Sequence, residues 1–130
     1  MKNNISIAIV GLGHIGCYLY NEINKKKKEI KIKTGKNIKI VAISAKNIKK
    51  KRPFRINKKI FYKNPLNIFK YCKVNIVVEA IGLSDGISKK VVETALRKKI
   101  HVVTPNKALI AKHGNHLSNL AEKNGVNLEF

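Results

Sequence analysis

Short apolar runs alternate with longer stretches of helical periodicity along the whole chain. The first run, Ile5-Ser6-Ile7-Ala8-Ile9-Val10, is almost continuously apolar, as expected of a strand buried on both faces of a parallel sheet. Ile15, Leu19 and Ile23 then recur at i, i+4 and i+8, which predicts a helix that fades into Lys25–Lys28, with Gly35 in the turn that follows. Ile38–Ile43 reads as a second strand. A basic, irregular segment from Ala45 to about Lys59 comes next, broken by Pro53. Ile60–Tyr62 is a short strand, and Pro65 opens a short helix over Leu66–Cys72. Asn75–Ala80 is another buried strand, closed by Gly82. Ser84 reads as the N-cap of a helix whose buried face is Ile87, Val91 and Ala95. Ile100–Thr104 is a further strand, and a helix begins near Asn106, with Leu117, Leu120 and Ala121 on its later turns and Gly125 past its end. Val126–Phe130 closes the series as a strand. The alternation implies an α/β fold, a doubly wound parallel sheet forming one domain over residues 1–130, without repeats or an internal linker.

The junction between the first strand and the first helix carries the most information. Gly11-Leu12-Gly13-His14-Ile15-Gly16 follows the strand directly, and G-x-G-x-x-G in that position is the fingerprint of a dinucleotide-binding, Rossmann-type domain. Gly11 permits the tight turn, Gly13 lets backbone approach a pyrophosphate, and Gly16 lets the helix pack close to the strand. The helix then turns its N-terminal N–H groups and positive dipole end toward the phosphates.

The formal charge of +21 introduces a rival, a basic module for nucleotides or nucleic acid. Its composition argues against that reading: 25 of the 28 cationic side chains are lysine and 3 are arginine, alongside many Ile and Asn, the signature of A/T-rich codons. Sequence-specific readers favour Arg, and single-strand binders interleave aromatics. Phe54, Phe61, Tyr62 and Phe69 form no such repeat, so nucleic acid is not an expected partner. No apolar stretch approaches bilayer length and no signal-peptide layout is present. Cys17 and Cys72 do not make a disulfide framework, so both are expected to be buried structural thiols in a reducing cytoplasm.

In an open α/β sheet the ligand lies beyond the carboxyl ends of the strands. Those ends present the glycine turn, then Ser44, Ala45 and Lys46, then Ile81 and Gly82, then Thr104, Pro105, Asn106 and Lys107. Glu79 sits late in an apolar strand, where an unpaired charge is costly, so it is expected to be hydrogen-bonded or to face the site. Domains selective for NAD place a carboxylate at the end of the second strand. Here Ser44 occupies that region and Lys46, Lys49, Lys50, Lys51 and Arg52 follow, which favours NADP, with NAD still possible. His113 and His116 read as a solvated helix face and no metal site is expected. Asp85 and Glu93 read as helix-surface charges.

Three motifs together resemble the amino-terminal part of homoserine dehydrogenases: Gly11–Gly16, Val77-Val78-Glu79-Ala80-Ile81-Gly82, and His101-Val102-Val103-Thr104-Pro105-Asn106-Lys107-Ala108-Leu109-Ile110-Ala111-Lys112-His113-Gly114. The third is the specific one. The family pattern there is V-V-T-A-N-K-A-L, from which Pro105 departs while Asn106 and Lys107 remain. The resemblance implies an enzyme that interconverts L-homoserine and L-aspartate 4-semialdehyde with NADP or NAD, in threonine, methionine and isoleucine synthesis. It implies Lys107 as the catalytic lysine, partly desolvated, beside a nicotinamide pocket shaped by Thr104 and Asn106. Gly11, Leu12, Gly13, His14, Ile15, Gly16, Ser44, Lys46, Ala80, Ile81, Gly82, Thr104, Asn106 and Lys107 are the expected cofactor contacts. Family members continue into a substrate and dimerisation region absent from these 130 residues. The chain alone is therefore expected to be inactive toward homoserine, its substrate requiring the missing domain, with a homo-oligomer or a partner chain both open. The alternative is a non-enzymatic basic module or a decayed remnant.

Overall fold

Strand residues here must be apolar on both faces, because helices or packed chain cover the sheet on each side. The computed structural model describes residues 3–130. Its strands are β1 (Asn4–Val10), β2 (Asn37–Ser44), β3 (Phe61–Tyr62), β4 (Ile76–Glu79), β5 (His101–Val103) and β6 (Leu128–Glu129). Its helices are α1 (His14–Thr34), α2 (Ile68–Tyr71, after a 3-10 turn at Pro65–Asn67), α3 (Ile87–Arg97) and α4 (Lys107–Lys123). The six strands form one sheet in the order β3-β2-β1-β4-β5-β6, every pair parallel. The order reverses between β1 and β4, and the crevice above that switch point is where such sheets bind ligands.

Alternate residues of one strand feed two cores. Ile7 and Ile9 pack with Ile40, Ile43, Val78, Leu12 and Cys17 on the α1 face. Ala8 and Val10 pack with Ala42, Val77, Ile68, Val91, Leu96 and Leu109 beneath α2, α3 and α4. Ile9 is fully buried, and cutting it to Ala costs about 2–5 kcal/mol. The β1–β2 register slips by one residue, Ile7 facing Ile40 and Ala8 facing Ala42, so Val41 is the extra residue of a bulge. The link from β2 to β3 contains no helix. Phe54 stacks on Tyr20 of α1 at 4.1 Å between ring centres, so irregular chain fills the layer where a helix often sits.

Several expectations need correction. α1 does not fade at Lys25–Lys28. It runs on to Thr34 and stops at Gly35, which takes a left-handed conformation (φ 73°) and donates its N–H to Lys31. Salt bridges Glu22–Lys26 and Glu29–Lys33, spaced i to i+4, support the exposed extension. Ile15 is 57% exposed, so the buried face of α1 starts at Gly16 and Cys17 instead. Ser84 does not cap α3. The helix begins after Gly86, and it is Ser88 whose hydroxyl accepts the N–H of Leu83. Cys72 is only half-buried, 3.1 Å from the Tyr62 hydroxyl, whereas Cys17 is buried. The last two strands are shorter than their apolar runs.

Candidate functional site

The glycine turn lies at the carboxyl end of β1, and two of its glycines are required by packing. At Gly11 (φ 99°) a Cβ would stand 2.6 Å from the Ala80 carbonyl carbon, because the chain leaving β4 presses on the turn. At Gly16 it would stand 1.9 Å from the Gly11 carbonyl oxygen. Gly13 differs: a Cβ there meets nothing within 4 Å. The space above Gly13 is open, so nothing within the polypeptide calls for a glycine there. Gly13 also precedes α1 without a side-chain cap, and the first turn of the helix carries no acid, so its amides and positive dipole end remain available to an anion. These features fit a pyrophosphate.

Three bonds brace the turn. Gly11 donates its N–H to the Ser44 carbonyl (2.8 Å), and the Leu12 carbonyl accepts from Cys17 Sγ and from Arg52 Nε, both at 3.3 Å. Arg52 also donates to the carbonyls of Asn47, Ile48 and Lys50, clipping the β2–β3 segment to the turn.

A cavity of about 960 Å³ opens beside this turn. Gly11, Leu12 and Gly13 line one wall. Ser44, Ala45, Lys46, Asn47, Lys50 and Arg52 line the second, Lys63, Asn64, Pro65 and Asn67 the third, and Ala80, Ile81 and Ile87 close it. No carboxylate lines it, while four cationic side chains do. Gly11, Leu12, Gly13, Ser44, Lys46, Ala80 and Ile81 are thus gathered as the sequence suggested. His14 and Ile15 are exposed on the first turn of α1, Gly16 is a packing residue, and Gly82, Thr104, Asn106 and Lys107 lie outside the cavity wall. Lys63, Asn64 and Asn67 were missed. The rule that ligands lie beyond strand ends finds them once it is applied to the short strand β3 as well.

Glu79 is fully buried at the end of β4. Its Oε2 accepts the N–H groups of Ile81 (2.8 Å) and Gly82 (3.0 Å). Its Oε1 accepts the Thr104 hydroxyl (2.7 Å) and Asn106 Nδ2 (3.1 Å). The expected hydrogen-bonded role is what the geometry shows. Asn106 caps α4, its Oδ1 accepting from the Leu109 N–H at 3.0 Å, and its Nδ2 also reaches the Leu83 carbonyl at 2.7 Å. Lys107 follows as the first residue of α4. It is exposed, so the partial desolvation expected of it is not present.

The two histidines are not free on a solvated face. Asp85, which lies in the loop before α3 and not on a helix, accepts from Lys112 and pairs with His113 (2.7 Å). Those two partners, first by hydrogen bonding and then by charge, pull its carboxyl down to about 2. His116 pairs with Glu93 at 2.8 Å. Burial alone would raise the Glu93 carboxyl, but His116, Lys89 and Arg97 together leave it below its ordinary value. Both pairs join the α3 side to α4. Among the described residues no cluster of His, Cys, Asp and Glu is arranged to hold a metal, and no helix is long and apolar enough to cross a membrane.

A parallel sheet in this order, with a glycine turn at its switch point and an acid-free, lysine-rimmed cavity above, defines a dinucleotide-binding domain of Rossmann type. Residues 11–130 match the family model for the homoserine dehydrogenase NAD-binding domain, and the chain belongs to that family. It is 32% identical over 126 residues to the homoserine dehydrogenase of Neisseria gonorrhoeae, covering 97% of this chain and 28% of that protein. The homoserine dehydrogenase structure from S. aureus at pH 7.5 superposes with a TM-score of 0.90 at 34% identity, covering 98% of this chain and 32% of the other. A hyperthermophilic archaeal homoserine dehydrogenase mutant in complex with NADPH shares the fold (TM-score 0.73, 22% identity, 98% and 43% covered). The chain therefore spans less than a third of the Neisseria protein's length. Family membership favours the cofactor domain over the basic nucleic-acid module.

Proposed function

We propose that this chain is the cofactor-holding part of a homoserine dehydrogenase and that it takes NADP(H) in preference to NAD(H). The observation that carries the reading is the cavity at the glycine turn, flanked by Lys46, Lys50 and Lys63 and lined by no carboxylate. A ribose 2′-hydroxyl finds no acid to accept its hydrogen bonds there, whereas a 2′-phosphate finds cations and no repulsion.

When bound, the nicotinamide supplies the hydride chemistry that interconverts L-homoserine and L-aspartate 4-semialdehyde. The chain's own residues do the rest on this side. Gly11, Leu12 and Gly13 leave room for the pyrophosphate, and the first turn of α1, from His14 through Ile15 to Gly16, directs amides at it. Ser44 and Lys46 sit where the adenosine ribose is recognised. Ala80 and Ile81 wall the nicotinamide side in this proposal, and Gly82 follows them, tied through Glu79 to the buried Thr104 and Asn106. Lys107 is assigned the proton exchange with the substrate oxygen through its Nζ. Homoserine itself is held in this proposal by the part of the full enzyme that the chain does not align with, in a cytoplasmic oligomer or with a partner chain. The two free thiols support a reducing compartment.

The test is binding of NADPH and NADH to the purified chain, followed by nicotinamide fluorescence at moderate salt. The expected result is saturable binding, at least about tenfold tighter for NADPH, and lost in Gly13→Asp. Binding of neither nucleotide, or undiminished binding by Gly13→Asp, overturns the assignment. Equal affinities overturn only the NADP preference.

A further inference from the structure

Glu79 is a fully buried carboxylate to which the proposed chemistry gives no part. A charge placed there is costly unless every lone pair is answered, and here each oxygen accepts two hydrogen bonds. The two oxygens face different elements. Oε2 takes the amides of Ile81 and Gly82, on the loop that closes the cavity. Oε1 takes Thr104 and Asn106, the end of β5 and the cap of α4, the helix that begins with Lys107.

We propose that Glu79 is a positioning residue that fixes the Ile81–Gly82 loop, whose Ile81 lines the cavity, and the start of α4 as one unit, so that the cofactor cavity and Lys107 keep a constant relation. The role rests on the cofactor reading above. The chemistry of the four donors sets it apart from a simple buried filler. Two of them are backbone N–H groups that cannot turn away, and Asn106 Nδ2 and the Thr104 hydroxyl point at the same oxygen. Thr104 is itself oriented, because its Oγ1 accepts the Asn106 N–H at 3.0 Å and so turns its proton toward Glu79. Gln at position 79 conserves shape but replaces one oxygen with a donor, which then faces either two amides or Asn106. One half of the clamp must open in either orientation.

Amide hydrogen exchange on the full 130-residue chain tests this without turnover. Thr104→Val removes one donor to Oε1 and the acceptor of the Asn106 N–H, both on the α4 side, and touches nothing on Oε2. If Glu79 joins the two sides, exchange in this variant rises about tenfold or more at Leu109 and also at Ile81 and Gly82, while amides of β2 stay protected. Glu79→Gln is expected to raise the same three amides further. A response confined to Leu109, or a rise across all strands alike, overturns the proposal. Thr104→Val is the milder change and keeps the test readable if Glu79→Gln does not fold. NADPH titration of the same proteins separates the two ideas. An unaltered chain that binds no NADPH ends the cofactor reading, and the exchange pattern still judges Glu79. An NADPH affinity at least about tenfold weaker in Thr104→Val, beside native β2 protection, supports both.

Discussion

The three glycines of the turn make separable contributions, and alanine at each distinguishes fold from binding. In Gly16→Ala the new methyl would lie 1.9 Å from the Gly11 carbonyl oxygen. An ordinary carbon–oxygen approach is about 3.3 Å, so α1 must retreat by roughly 1.4 Å. Neither side yields cheaply, because the obstacle is backbone, tied to the end of β2 by the Gly11–Ser44 bond. Such overpacking falls at the upper end of the usual range, about 3 kcal/mol, out of a total of roughly 5–15 kcal/mol for a domain. Urea unfolding followed by far-ultraviolet circular dichroism would then show a midpoint lower by about 1–3 M. Gly13→Ala meets nothing within 4 Å and keeps extended backbone (φ −82°), so its stability should stay within about 0.5 kcal/mol of the parent. Its NADPH affinity, in contrast, should fall at least about tenfold, since the methyl enters the space that the proposal gives to the pyrophosphate. Equal destabilisation by the two substitutions, or unchanged NADPH affinity in Gly13→Ala, would refute the division between packing and binding glycines.

Other outcomes follow from the cavity and from the α4 ties. Lys46→Glu should weaken NADPH about fivefold or more while leaving NADH within about twofold, and a parallel loss for both nucleotides in fluorescence titrations would place Lys46 away from the 2′-phosphate. The Asp85 carboxyl lies near 2 in the folded chain against an ordinary 3.8, so the tie to Lys112 and His113 is present above about pH 4 and is lost as the pH falls from there toward 2. NMR titration of the Asp85 carboxyl should show that low midpoint, and Lys112→Ala should return it toward 3.8; a midpoint near 3.8 in the parent chain would show that the tie does not form in solution. Extending the resemblance, the purified chain should show no NADP-dependent oxidation of homoserine by absorbance at 340 nm, and measurable turnover would place the whole substrate site within these residues.

The parts of the fold legible in the sequence were those where local pattern and tertiary burial agree. Ile5–Val10 and Ile76–Val78 are almost wholly apolar because helices or packed chain cover both faces, so their runs announce buried parallel strands. The extent of α1 was hidden. Its last turns are mostly exposed and lysine-rich, held by two i to i+4 ion pairs and stopped by Gly35, with Ile30 and Ile32 too close in spacing to make a helical apolar stripe. Ile15 misled for the opposite reason: its spacing fits the buried face, but on the first turn of α1 it is left 57% exposed. Of the site, the glycine turn was readable because its spacing is set by backbone approach. The third wall of the cavity was not, since Lys63, Asn64 and Asn67 acquire meaning only once the two-residue strand β3 is known to pair with β2.

The histidines and acids show where composition misdirects most. With 28 cations and 7 acids, the acids other than Glu79 look like scattered surface charge in the sequence. The structure gives most of them a partner. Glu22 and Glu29 lace α1, Asp85 and Glu93 bind α4 through Lys112, His113 and His116, and Glu79 directs both oxygens inward onto four donors. The sparse negative charge is thus drawn away from the cavity at the carboxyl end of the sheet, leaving Lys46, Lys50 and Lys63 without a carboxylate in its lining. A lysine-rich composition driven by codon bias would raise the potential of every surface alike. An acid-free cavity adds a local difference, because like charges at its rim are uncompensated and an anion is the species that relieves them. The proposed selectivity for the more highly charged nucleotide therefore rests on the lack of an acid in that lining, more than on how many lysines the chain carries.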